Sequence, residues 1–473
     1  MHLGRGYWLL AATAIIAAVL SPPAHAQYQL RQQPEMSTSD NARRVPIPPH
    51  DPSKDPILVI RAVTLIDGTG SGPLPNAVLV IRGNRILDVG PADRVTIPAK
   101  VDRTIDARGL YMVPGLVDLH MHFRQQRGDD FSMFRDSDAA AAIRGIEKLG
   151  LYLDGGITAV RDLGGANDVA QKIQEAVARH IFPGPRVFWA GRLISSRGGH
   201  GDEITETASG HPKPLETSAS QRVATGPWDW RLAVREEIRR GVDVIKLTAP
   251  YTKEEVTAAV DEAHMLGIPV TVDAFGDYVT WASQAGIDSI EHPLSISADT
   301  IKVMAEKKTA FVPTLTAFYN PLTYGYPSAG IPPGGFFFTM SRRFSMTHEG
   351  NVETVRRAKA AGIKIGVGTD IPFENERRYP GDYFVELKFL RDAGLSNKEI
   401  LEAATRVGGE ILAIPEKLGT LEKGKLADVL VIAGDPLQDI ENLRKMRLVV
   451  ADGRIVRDRI DNAPVPSEAS KMK

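Results

Sequence analysis

The chain has 473 residues, 43% hydrophobic and 24% charged, enough to bury a large core in one big domain with a smaller companion. Lys and Arg number 57 against 58 Asp and Glu, a balance that excludes the basic stripe of a nucleic-acid binder and leaves a small-molecule substrate as the expected partner. There is no cysteine, so an oxidising compartment adds no disulfide and no thiolate is available to a metal.

Residues 1–26 read as a secretory signal peptide. Arg5 supplies positive charge, Tyr7 to Leu20 is an apolar run shorter than a membrane span, and Ala24-His25-Ala26 offers small residues at a cleavage site. The expectation is therefore a periplasmic or secreted protein with no membrane span after signal removal. Residues 27–56 are polar and Pro-rich and are read as a loose or extended segment without chemistry.

From Ile57 the pattern changes to short β-rich runs, Leu58-Val59-Ile60, Ala77 to Ile81 and Arg85 to Val89, separated by Gly and Pro turns. The same texture returns at Ala427 to Ile432 and at Arg447 to Val456, where Asp452-Gly453 marks a hairpin turn. Residues 57–110 and 414–460 are expected to form one small β-sandwich domain built from both chain ends. A tail follows at 461–473.

Between them, over 111–413, apolar strands alternate with helical segments, the order of an α/β protein with a TIM-like (β/α)8 barrel. The first of these strands is Val113-Pro114-Gly115-Leu116-Val117-Asp118-Leu119-His120-Met121-His122. Alternate side chains of a strand share a face, so His120 and His122 point together toward one site, as a metal requires. In such a barrel the chemistry sits at the C-terminal ends of the strands. Eight runs can be followed, and five end in a metal-binding or carboxylate-bearing group: His120 with His122, Lys246, Asp273, His292 and Asp370.

Taken with Val160 to Gly165, Gly198-Gly199-His200-Gly201-Asp202, Ser289 to His292, Gly368-Thr369-Asp370 and Leu418 to Asp428, these residues give a specific signature. The chain resembles the metal-dependent amidohydrolase superfamily over about Ile57 to Arg457, in its imidazolonepropionase-like and Xaa-Pro or Xaa-Arg dipeptidase-like branches. The resemblance implies that His120, His122 and Asp370 bind one divalent ion, zinc being the expected one. It implies that Lys246 reacts with carbon dioxide to give a bridging carbamate, and that a second ion takes His292 and a strand-five ligand. That ligand is usually histidine; here the position is Asp273. A carboxylate also binds divalent metals, so three arrangements stay open: a binuclear site with Asp273 as ligand, a mononuclear enzyme, and an impaired or repurposed site.

The resemblance implies hydrolysis of an amide or peptide-like C–N bond, with dipeptides and N-acyl amino acids as the first substrate class and Asp370 as general base and acid. His200, in its Gly-rich loop, is a second catalytic candidate, reaching the substrate or steadying the oxyanion. The alternatives are a mononuclear amidohydrolase or deaminase with another substrate class, or an extracytoplasmic binding protein that has lost turnover. A Schiff-base lysine at Lys246 is a further rival, disfavoured by the surrounding histidines.

Other residues carry less. Arg161 and Asp162 are expected to pair with each other at the barrel mouth, Tyr319 to pack among aromatic residues, and His264 to lie on a helix surface. His50, His180, His211 and His348 have no supporting context. The loops Ser195 to Pro227 and Tyr319 to Phe344, with Phe336-Phe337-Phe338, are expected to shape an apolar pocket wall. A homo-oligomer is common in such a family, and the sequence leaves the oligomeric state open.

Overall fold

The computed structural model describes residue 45 and residues 51–123, 137–165, 168–200, 221–292, 296–324, 347–370 and 380–460. The proposed signal peptide, the C-terminal tail, His50, His211, Phe336 to Phe338 and most of both substrate loops lie outside them.

Strands β1 (Ile57–Leu65), β2 (Leu74–Arg82), β3 (Arg85–Pro91), β4 (Arg103–Asp106) and β5 (Tyr111–Pro114) open the chain. They share one eight-stranded sheet with three strands from the other end of the chain, through antiparallel pairing of Val429–Ile432 with β5. A small β-sandwich was expected; the hydrogen-bonded ladder here runs through all eight strands and bends within β1. Leu58 to Arg61 pair with β4 while Thr64 and Leu65 pair with β5, and the register shifts around Ala62, whose φ is 59°. One strand therefore serves both parts, and the bend wraps Leu58, Ile60, Leu79, Ile81, Val429 and Val431 into one small core.

The parallel strands follow: β6 (Leu116–Met121), β7 (Ile157–Asp162), β8 (Arg186–Trp189), β9 (Leu193–Ser195), β10 (Gln221–Val223), β11 (Ile245–Thr248), β12 (Val270–Asp273), β13 (Ser289–Glu291) and β14 (Ala310–Val312). All but β10 are almost wholly buried, and their runs lack alternation because both faces are covered. The intervening and following helices include α1 (Asp138–Asp154), α2 (Val169–Ala178), α3 (Gly226–Arg240), α4 (Lys253–Met265), α5 (Asp277–Ala285), α6 (Ala298–Lys307), α7 (Leu315–Tyr324), α8 (His348–Ala360) and α9 (Gly381–Asp392). Several start at capping residues. Thr252 and Glu255 make a reciprocal capping box on α4, and Ser137 and Ser297 cap α1 and α6.

The parallel strands do not form one closed ladder. They fall into a three-stranded sheet, β6-β7-β8, and a six-stranded sheet, β10-β9-β11-β12-β13-β14. The run ending at Asp370 spans the gap between β14 and β6 through individual bonds: Phe311 N donates to Lys364 O at 2.8 Å and Leu119 N to Val367 O at 2.9 Å. Gly366 and Gly368 permit this approach. A Cβ on Gly368 would stand 2.5 Å from Val312 Cγ1 and 2.9 Å from His120 Cβ. On the other side the sheets meet where Asp243 N donates to Trp189 O at 2.9 Å.

The last strands are β15 (Val429–Ile432), β16 (Met446–Ala451) and β17 (Arg454–Asp458). Val429 and Val431 face the small core while Leu430 and Ile432 face the large one, the period-two alternation of a strand shared by two cores. Among the described residues no helix is long and apolar enough to cross a membrane.

Candidate metal centre

The C-terminal ends of the parallel strands bring His120 and His122 (β6 and the residue after it), Lys246 (β11), Asp273 (β12), His292 (just after β13) and Asp370 to one place. Asp370 Oδ1 lies 3.0 Å from His122 Nε2 and 3.5 Å from His120 Nε2. Asp370 Oδ2 lies 3.7 Å from His292 Nε2, which is in turn 3.6 Å from Asp273 Oδ2. Donors sharing one ion at about 2.0–2.2 Å in tetrahedral geometry stand roughly 3.3–3.6 Å apart. His120, His122 and Asp370 each offer one donor atom within 4.8 Å of the others. Two imidazoles and a carboxylate in this arrangement fit a divalent cation.

Each ring is held by its other nitrogen. His120 Nδ1 lies 2.9 Å from Glu291 Oε2, His122 Nδ1 3.0 Å from the Gly164 carbonyl, and His292 Nδ1 2.6 Å from Thr314 Oγ1. Nδ1–H donation to Glu291 and to Gly164 leaves the Nε2 lone pairs of His120 and His122 free to face the site. His292, Thr314 and Asp370 all take positive φ, at 72°, 47° and 40°. Backbone held in this region at three strand ends is the strain that functional sites retain.

The electrostatics agree with a cation site. Burial, then Lys246, holds His120 well below the usual histidine range, and burial lowers His292, so both rings are neutral as ligands must be. Burial acts to raise the Asp370 carboxyl, but His120, His122 and His292 outweigh it and keep the group ionised. Burial also lowers the Lys246 ammonium, against the opposing pull of Glu291, Asp273 and Asp370. Lys246 Nζ is buried with no hydrogen-bond partner among the described residues. A buried amine without an acceptor is unusual, and it fits a side chain completed by something added to it.

His200 stands at the edge of the cluster, its Nε2 3.5 Å from Asp273 Oδ2 and its side chain 26% exposed. Tyr319 lies in α7 against Phe389 and His348. His264 pairs with Asp288 at 2.8 Å on the surface, and His180 lies 3.5 Å from Asp452 at the far end of the strands.

Arg161 and Asp162 do not pair with each other. Neighbours on a strand point to opposite faces, so Arg161 enters the interior and Asp162 turns outward. Arg161 donates from Nη2 to Glu291 Oε1 at 2.7 Å and from Nε to Leu119 O at 2.7 Å. Asp162 accepts from Phe123 N and Gly164 N at 3.0 and 3.1 Å.

Two supporting carboxylates escaped the sequence reading. Glu291 is fully buried and joins His120 to Arg161 and Thr271. Asp118 accepts from His120 N, Thr369 N and Thr369 Oγ1 at 3.2, 3.0 and 2.6 Å, tying the first strand to the turn that carries Asp370. Asp118 lies two residues before His120, and that period-two spacing was a signal available in the sequence. For Glu291 there was none beyond its place beside His292.

Residues 111–456 match the family model described as the amidohydrolase family. The chain belongs to the amidohydrolase family. It is similar to ochratoxinase of Aspergillus niger, with 28% identity over 93% of this chain and 94% of the relative. It is also similar to imidazolonepropionase of Agrobacterium fabrum, 25% identical over 76% of this chain and 85% of that one. Among solved structures, a prolidase complexed with N-methylphosphonate-L-proline superposes with a TM-score of 0.75 and 30% identity, over 85% of this amidohydrolase and all of that chain. Family and neighbours mark a hydrolase acting on carbon–nitrogen bonds of small molecules.

Proposed function

We propose that the chain is a metal-dependent hydrolase of an amide or peptide-like C–N bond in dipeptides or N-acyl amino acids. The observation that carries this reading is the convergence of His120, His122 and Asp370 within one donor group, in a chain of the amidohydrolase family. A prolidase among the structural neighbours and ochratoxinase among the relatives support the substrate class.

When bound, a divalent ion supplies Lewis acidity and a water molecule acidified to near neutral pH. His120, His122 and Asp370 would hold it, with zinc the expected ion. Lys246, its amine buried and lowered in pKa, would take up carbon dioxide with release of a proton, and the carbamate would supply two anionic oxygens as metal donors. Asp273 and His292 are the donors for a second ion. Asp370 accepts a proton from the attacking water and delivers it to the leaving nitrogen as the C–N bond breaks. His200, on its partly exposed loop, steadies the carbonyl oxygen.

A single-ion enzyme is the second reading. It is favoured because His120, His122 and Asp370 are the metal-competent group among the described residues, whereas Asp273 is shared between His200 and His292. Elemental analysis of protein prepared with bicarbonate separates the two readings. About two ions per chain supports the binuclear enzyme; one, rising to two in Asp273→His, supports the mononuclear one; none overturns metal dependence. The character of residues 1–26 supports export, to be checked by the N-terminus of the mature protein.

A further inference from the structure

The end of the parallel strands opposite the histidines opens into a cleft of about 820 Å³. Its walls are the β2–β3 turn, the start of β7, the end of α2, the start of β8 and the β16–β17 turn, so it lies between the terminal sheet and the parallel strands. β7 runs from this cleft, at Thr158, to the metal end, at Asp162. At ~3.3 Å per residue that is about 13 Å, so the two sites are separate.

Three features of the lining point to an anion. First, six Arg and Lys side chains face three Asp side chains. Arg186 is satisfied by Asp428, at 3.0 Å, and by Asp452. Arg82, Lys423 and Arg454 have no side-chain ion pair or hydrogen bond among the described residues. Second, Arg82 Nε is buried without an acceptor among the described residues. Buried donors are nearly always paired, so the Arg82 guanidinium enters the cleft wall with hydrogen-bonding capacity to spare. Third, Ile86, Leu87 and Val177 supply apolar wall beside these charges, in a volume that suits a small organic ligand.

We propose that this cleft binds a small organic anion, a carboxylate or phosphate group carried on an apolar body. The anionic group pairs with the guanidinium of Arg82 and the outer cations Lys423 and Arg454, and the apolar body lies on the aliphatic wall. Because the cleft is built from both parts of the fold, occupancy raises the melting temperature by mass action.

The test uses the metal-loaded full chain with phenylphosphonate and benzoate as probes and inorganic phosphate as the control. Calorimetric titration and melting curves are recorded for the wild type and for Arg82→Gln. The expected result is saturable binding of at least one aromatic anion with a raised melting temperature, weakened at least tenfold in Arg82→Gln while hydrolysis is unchanged. The tighter of the two probes identifies the head group. If Arg82→Gln fails to fold, the exposed double variant Lys423→Glu with Arg454→Glu takes its place. No binding overturns the proposal, and so does equal binding by the variant, which would place the probe elsewhere. Inorganic phosphate matching both probes would show an adventitious ion only and also overturns it.

Discussion

His120 depends on a chain of partners that continues well past the metal. Its Nδ1 meets Glu291, and Glu291 carries the buried guanidinium of Arg161 on its other oxygen. Glu291→Gln keeps the shape but removes the charge, leaving Arg161 unpaired in the interior. Metal affinity is expected to fall ~10–100-fold, the usual cost of losing such a carboxylate. Stability is expected to fall by about 3–5 kcal/mol, as when one partner of a buried ion pair is removed. Chelator competition and urea unfolding measure the two effects separately. His120→Ala and Asp370→Ala are expected to abolish hydrolysis while circular dichroism and the melting cooperativity stay native. Unchanged turnover in either variant would remove this cluster as the site.

A second residue makes its mark through pH. Glu386, on α9, is fully buried and accepts from Leu315 N, Thr316 N and Thr316 Oγ1 at 2.9, 2.7 and 2.7 Å, holding the start of α7. Burial outweighs these bonds and pushes its carboxyl up to about 7. A raised carboxyl binds its proton more tightly in the fold than in the unfolded chain. Its contribution is therefore full below the unfolded value near 4.5 and is lost as pH rises toward 7. Stability is expected to fall across that window by at most about 1.4 kcal/mol per pH unit from this group. Glu386→Gln should flatten the slope by one proton in urea titrations at several pH values. An unaltered slope would exclude the group.

The run from Ile363 to Asp370 shows how an element differs from its sequence pattern. Its apolar residues read as an eighth barrel strand, yet it makes one isolated bridge, between Phe311 and Ile365, and otherwise individual bonds to both neighbours. Glycine at 366 and 368 weakens strand geometry while letting Leu119, Val312 and His120 approach the backbone. Gly368→Ala would drive a methyl group into Val312 and His120, with an expected loss of about 1–3 kcal/mol and of metal binding together. Gly381→Ala, where a Cβ meets nothing within 4 Å among the described residues, is the control and should leave both unchanged. The histidine and carboxylate positions on these runs could be read because strand ends and period-two spacing are local. The partner of Arg161 could not, because Glu291 is 130 residues away and meets it only across the interior.

The terminal sheet and the parallel strands are joined by buried charge as well as by β15, whose two faces serve both cores. Arg186, at the start of β8, reaches Asp428 and Asp452 in the terminal sheet, and burial and ion pairing compete on all three groups. Arg186→Met would leave the buried Asp428 and the partly buried Asp452 without the guanidinium they share. An expected loss of ~3–5 kcal/mol should appear as a lower melting temperature, while metal content, set at the opposite end of the strands, stays the same. A second, separate melting transition in the wild type would instead show that the two parts unfold independently.

Local chemistry in the chain was enough to determine the α/β alternation, the two β-rich ends, and which strand ends carry His120, His122, Lys246, Asp273, His292 and Asp370, since each depends on residues adjacent or two apart. Tertiary structure alone decided that the terminal strands make one bent sheet, that the parallel strands divide into two sheets bridged at Gly366 and Gly368, and that Glu291 braces the site. It also decided where the charges opposite the site collect. Those outcomes depend on contacts between residues far apart in the chain, where packing and the pairing of buried charge select among arrangements that local pattern treats as equal.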